Sequence, residues 1–119
     1  MIPDVAVSRP RPGAAVVELR GEHALETQDA LDDLLSSLVE TNELIVVDVS
    51  GARFIDSSVL RNLARANTLA AQRGSLVRLQ VDTDSIVHTT LEISGLLGVL
   101  PYASDRAQAL APDEPEQSA

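Results

Sequence analysis

Four leucines at positions 31, 34, 35 and 38 recur at the spacing of one face of a helix, and they predict an amphipathic helix over about Glu26 to Glu40. Asp29, Asp32 and Asp33 gather toward its N-terminal end, where the helix dipole favours acids. Leu44-Ile45-Val46-Val47-Asp48-Val49 is a different pattern, a continuous apolar run rich in β-branched residues, as expected of a central strand buried on both faces. Ala14 to Arg20, with Val16, Val17 and Leu19, predicts a second strand ending in a turn at Gly21. Ser75 to Val81 predicts a third, in which Val77, Leu79 and Val81 alternate with Leu76, Arg78 and Gln80. Between them, Ser58 to Arg73 predicts a helix with Leu60, Leu63, Ala64, Asn67 and Ala71 inward, Arg61, Arg65 and Gln72 outward, and Gly74 as its C-terminal stop.

The remaining segments are shorter. Pro3, Pro10, Pro12 and Gly13 confine any strand at Asp4 to Ser8 to a sheet edge, which is an open surface for a homodimer. Phe54 and Ile55 read as a short connection, Thr83 to Ser94 as a helix stopping at Gly95, Leu97 to Tyr102 as a last strand, and Asp105 to Leu110 as a short helix. Residues 111–119, with two prolines and three acids, read as a disordered tail after a domain of residues 1–110. Strands alternating with helices place the chain in the α/β class, with a mixed sheet of four to five strands and about four helices.

Composition removes many chemistries. The chain of 119 residues has no Cys and no Lys, so thiolate metal sites, disulfides and Schiff bases are excluded. A net charge of -9 with no basic block argues against a nucleic-acid face, and one Phe and one Tyr cannot build a stacking platform. No run of about 18 apolar residues is present, and the start lacks the basic and apolar regions of a signal peptide, so the expectation is a cytoplasmic protein. All nine basic residues are Arg, which with many Ala and Gly suggests a GC-rich bacterial gene. A Ser-His-Asp hydrolase is not supported, because the Gly-x-Ser-x-Gly elbow is missing and His88 falls within a helix. His23 and His88 are too few ligands for a structural zinc, and Asp48 as a receiver-type phosphoacceptor would need a Lys. No catalytic, metal or cofactor residue is assigned, and Asp48 reads as a strand-end acid capping the loop after it.

The densest signal is Phe54-Ile55-Asp56-Ser57-Ser58-Val59-Leu60, an acid and two hydroxyls between a strand and a helix. Asp56, Ser57 or Ser58 can cap the first unpaired N–H groups, and a hydroxyl at an exposed helix start is also open to a kinase. Residues 45–60 as a whole resemble the signature region of the STAS domain, specifically that of anti-sigma factor antagonists. Leu19-Arg20-Gly21-Glu22 and Ile93-Ser94-Gly95-Leu96 resemble two further elements of that family in the right order.

The resemblance implies that Ser57 is the phosphorylated serine, flanked by Asp56 and by Ser58 as the second hydroxyl. It implies a serine-kinase-type anti-sigma factor as partner, bound by the unphosphorylated chain and released on phosphorylation, and a phosphatase that restores binding. The chain departs from the family pattern in two places. Val59 stands where the family has Gly, adding bulk where a partner would press, and His23-Ala24 replaces an apolar residue followed by Asp. Gly21, Glu22, His23, Asp56, Ser58, Val59, Arg61 and Asn62 are the expected partner-binding residues. Arg61 is placed to steady a phosphate or to meet an acid on the partner. The alternative function is a non-phosphorylated STAS scaffold, or a small-ligand adaptor, in a bacterial stress-signalling complex.

Overall fold

The computed structural model describes residues 5–23 and 28–112. The apolar runs become strands and the leucine-rich periods become helices, in the order β1 (Val5–Arg11), β2 (Ala14–Leu19), β3 (Gly21–His23), α1 (Gln28–Thr41), β4 (Leu44–Asp48), β5 (Ala52–Ile55), α2 (Ser57–Arg73), β6 (Leu76–Gln80), α3 (Ile86–Ile93), β7 (Tyr102–Ala103) and α4 (Arg106–Leu110). Five strands form one mixed sheet in the order β1-β2-β4-β6-β7; β1 is antiparallel to β2 and every other pairing is parallel. β3 and β5 pair in parallel as a separate two-stranded sheet.

β4 is buried along its whole length because the sheet is covered on both sides. Ile45 and Val47 point with Val17, Leu19, Val77 and Leu79 into the main core, against Leu31, Leu35 and Leu38 of α1 and Leu63 of α2. Leu44 and Val46 point to the second face, where Ala14, Val16, Ala103 and Ala109 form a smaller core under α4. Arg78, 8% exposed on that face, donates through Nη1 to the carbonyls of Gln108 (3.3 Å), Ala109 (2.7 Å) and Ala111 (2.8 Å). Its cation thus caps the negative end of α4.

The leucine helix, the central strands and the stop at Gly74 stand where the sequence places them; Gly74 has φ +75° and its N–H bonds the Ala70 carbonyl. Several expectations are corrected. Phe54 and Ile55 are not a connection but half of β5, a strand too short to show a period, held by pairing with Glu22 and His23. The inward face of α2 is turned by one residue from the expected one. It consists of Ser58, Val59, Asn62, Leu63, Ala66 and Ala70, while Ala64 and Ala71 are exposed. The small Ala66 and Ala70 let α2 lie close to its neighbours, and Asn62 is drawn inward by a bond from Nδ2 to the Gln28 carbonyl (3.1 Å).

α3 begins at Ile86 rather than Thr83, because the Ser85 hydroxyl accepts from the His88 N–H (3.0 Å) and sets the cap there. Leu96–Gly98 is a 3-10 turn after Gly95 at φ +86°, so the last strand shrinks to Tyr102–Ala103. Asp4, the start of the expected first helix at Glu26 and residues 113–119 of the expected tail lie outside the described residues.

Candidate functional site

β5 runs out of its pairing with β3 directly into Asp56, and α2 starts at the next residue. His23 is the register partner of Ile55, so β3 and the start of α2 share one corner of the molecule. Gly21 enters β3 at φ +74°, a conformation that favours glycine, with its N–H on the Gly51 carbonyl at 3.0 Å.

At the helix start, Asp56 is the N-cap. Its Oδ1 accepts from the Ser58 N–H (2.9 Å), from the Val59 N–H (3.4 Å) and from the Ser58 hydroxyl. Burial alone pushes the Asp56 carboxyl up, but the Ser58 hydroxyl, the two backbone N–H groups and the Arg61 charge outweigh it and hold the carboxyl below its ordinary range. Asp56 is thus an anion at neutral pH, fixed on the positive end of α2.

The two hydroxyls differ. Ser57 is exposed, whereas Ser58 is 1% exposed with its hydroxyl committed to Asp56. Arg61 is exposed one turn on, close enough to Asp56 to act on its charge. Val59 is fully buried in the main core and Asn62 is 1% exposed. Ser58, Val59 and Asn62, expected among the partner-binding residues, thus have buried side chains that support the surface and do not line it. Val59 fills core volume beside Leu63 and adds no bulk to the outside, because at this helix position the side chain points inward.

Asp48 does cap its loop, accepting from the Ser50 N–H (2.9 Å) and the Ser50 hydroxyl. Its second oxygen carries a bond that sequence reading missed, from Arg106 Nη2 at 2.6 Å. Arg106 also reaches Glu18 (2.8 Å) and Gln80 (2.6 Å). No local pattern in the sequence marks this tie, since each polar residue stands one position before the last apolar residue of its run. His88 is half-buried and its ring meets Tyr102 edge-on at 5.8 Å between centroids. Among the described residues no cluster of three or more His, Cys, Asp or Glu could hold a metal, and no helix is long and apolar enough to cross a membrane. A groove of about 570 Å³, lined by Gly13, Asn42, Arg73 and Ser75, opens where β4 and β6 begin, away from Ser57.

The family model described as "Mlab, STAS domain" matches residues 7–101, most of the chain. The chain belongs to the STAS domain family. No curated protein sequence matches it. Among solved structures, this STAS chain is similar to an anti-sigma factor antagonist from Mycobacterium paratuberculosis, at 22% identity and a TM-score of 0.77 over 91% of this chain and 93% of that one. It is similar to SpoIIAA at 15% identity, with TM-scores of 0.75 for an unphosphorylated form (87% of this chain, 91% of that) and 0.67 for the phosphorylated form from Bacillus (87% and 95%). The STAS domain of a SulP transporter from Vibrio cholerae follows at 20% identity and 0.59, covering 81% of this chain and 77% of that one. At these identities the likeness is one of fold.

Proposed function

We propose that this STAS domain is an anti-sigma factor antagonist that binds a kinase-type anti-sigma factor in the cytoplasm, frees its sigma factor and is switched off by phosphorylation of Ser57. The observation that carries the reading is the division between the two hydroxyls, Ser57 exposed at the first turn of α2 and Ser58 buried on the cap. A kinase reaches the first and not the second. The surface it meets is the corner of Gly21, Glu22 and His23 in β3 together with Asp56, Ser57 and Arg61.

The switch follows from charge. A phosphate on Ser57 brings close to two negative charges beside an ionised Asp56, on a chain already at -9. Asp56 occupies the Ser58 and Val59 N–H groups, so the phosphate turns to Arg61 and takes that cation away from the partner. A phosphatase resets the state. In this reading the chain is a kinase substrate and not a catalyst, and the open edge of β1 is the surface for any homodimer.

Calorimetry with a kinase-type anti-sigma factor from the source organism tests the surface. Ser57→Ala should bind as the unmodified chain does, while Ser57→Asp and Arg61→Glu should each bind at least about tenfold more weakly, as expected when one charge-assisted contact is lost. Equal binding by all three removes this corner from the interface. The second reading, a non-phosphorylated STAS scaffold or small-ligand adaptor, is favoured by the shared fold of a transporter's STAS domain. It predicts that Ser57 substitutions leave every partner unaffected.

A further inference from the structure

β2, β4 and β6 each place a polar side chain at the end of their shared register on the second face of the sheet: Glu18 beside Asp48, and Asp48 beside Gln80. Asp48 is 6% exposed and Gln80 8%, so each requires a partner within the protein. Arg106, the first residue of α4, serves all three strands. Its Nε donates to Gln80 Oε1, and its Nη2 donates to both Glu18 Oε2 and Asp48 Oδ2. In apolar terms α4 is slight, five residues of which only Ala109 is buried, with Leu110 at the margin. A helix that short does not stand alone, and its attachment is mainly ionic and polar.

The same two carboxylates continue into the corner that bears Ser57. The other oxygen of Asp48 holds Ser50, and the next residue, Gly51, accepts the Gly21 N–H through its carbonyl at 3.0 Å. Glu18 Oε1 accepts from Arg20 Nη2 at 2.7 Å, and Arg20 lies beside Gly51, where an added Cβ would stand in ordinary contact 3.5 Å from Arg20 Cγ. Ala52 bonds back to the Val49 carbonyl at 3.0 Å. Gly21 and Ala52 are the first residues of β3 and β5, the pair that delivers the chain to Asp56 and Ser57.

We propose that α4 is a releasable latch: with Arg106 engaged, the turns at 18–21 and 48–52 are held and the small sheet beside Ser57 is rigid, and with α4 released that sheet loosens. Its regulatory meaning rests on reading the Ser57 corner as the partner surface, but its test does not. Besides Arg106, α4 is held by the three carbonyl bonds from Arg78, and with its small apolar contact it opens ahead of the central strands.

Native-state amide exchange on the full chain, unmodified and Arg106→Gln, decides the matter without a partner. Losing the ion pairs to the partly exposed Glu18 and the buried Asp48 should speed exchange at Gly21 and Ala52 about fivefold to tenfold, together with Ala109, while Val47 in β4 keeps its rate. If Ala109 alone accelerates, the coupling is wrong; if Val47 accelerates by the same factor, Arg106 is merely structural. Should Arg106→Gln not fold, Glu18→Gln, which removes the more exposed pair and leaves Asp48 bonded to Arg106, must give the same pattern at smaller amplitude. Failure of this pattern leaves the Ser57 reading intact, and failure of partner binding leaves the latch intact.

Discussion

Replacing Asp56 by Ala removes the N-cap of α2 and isolates a buried hydroxyl in one step. The carboxylate accepts the Ser58 and Val59 N–H groups, and loss of such a cap costs typically about 1 kcal/mol and up to about 2. The Ser58 hydroxyl, 1% exposed and bonded to the same oxygen, is left without its acceptor, at a cost of about 1–3 kcal/mol. Together the substitution should destabilise the fold by roughly 2–4 kcal/mol. Asp56→Asn keeps an oxygen in place and loses only the charge at the helix end, about 0.3–1 kcal/mol.

Urea unfolding followed by far-ultraviolet circular dichroism is the assay, since the chain has no Trp and a single Tyr. A double-mutant cycle with Ser58→Ala adds a sharper test. Once the hydroxyl is gone, removing Asp56 costs only the cap, so the coupling should be about 1 kcal/mol or more. A loss below about 0.5 kcal/mol for Asp56→Ala, or an equal loss for Asp56→Asn, would refute the reasoning.

Three further expectations are open to measurement. Val59→Gly should cost about 3 kcal/mol in urea unfolding, from a core cavity plus lost helix propensity, while the folded fraction binds its partner as before, because Val59 does not reach the surface. Gly74→Ala should cost about 1 kcal/mol purely from backbone strain at φ +75°, since nothing stands within 4 Å of the added methyl. The Glu18 carboxyl is held low by its bonds to Arg106 and Arg20, and that of Asp56 by the cap bonds and Arg61 against the opposing effect of burial. Both therefore add stability that is complete above the usual carboxylate range and is lost as the pH falls through their depressed values. The urea midpoint should drop on acidification, and a Glu18→Gln/Asp56→Asn double variant should flatten that drop.

What the chain discloses on its own is what depends on local spacing. The leucines of α1 and the apolar run of β4 announce element and burial together, and Asp56-Ser57-Ser58 announces a helix start because capping acts within three residues. The buried face of α2 lies one position from the one the leucine spacing predicts, because Leu60 competes with Val59 for the core and Asn62 bonds to Gln28, 34 residues away. β5 is legible only once β3 lies beside it, since four residues including Arg53 and Phe54 show no period. The tie between Arg106 and Glu18 joins residues 88 apart, and no local pattern foretells it. At the site, the sequence placed the serine pair and the acid correctly beside a helix start. Which hydroxyl faces outward was settled only by the fold.

The central claim is that Ser57, and not Ser58, takes a phosphate that ends partner binding. Its most direct test is to incubate the unmodified chain with ATP and the kinase-type anti-sigma factor, map the modified residue by mass spectrometry, and measure complex formation before and after. The account predicts one phosphate, on Ser57, and a complex that forms before modification and not after it. A phosphate on Ser58, or an unmodified chain that binds identically throughout, would contradict it.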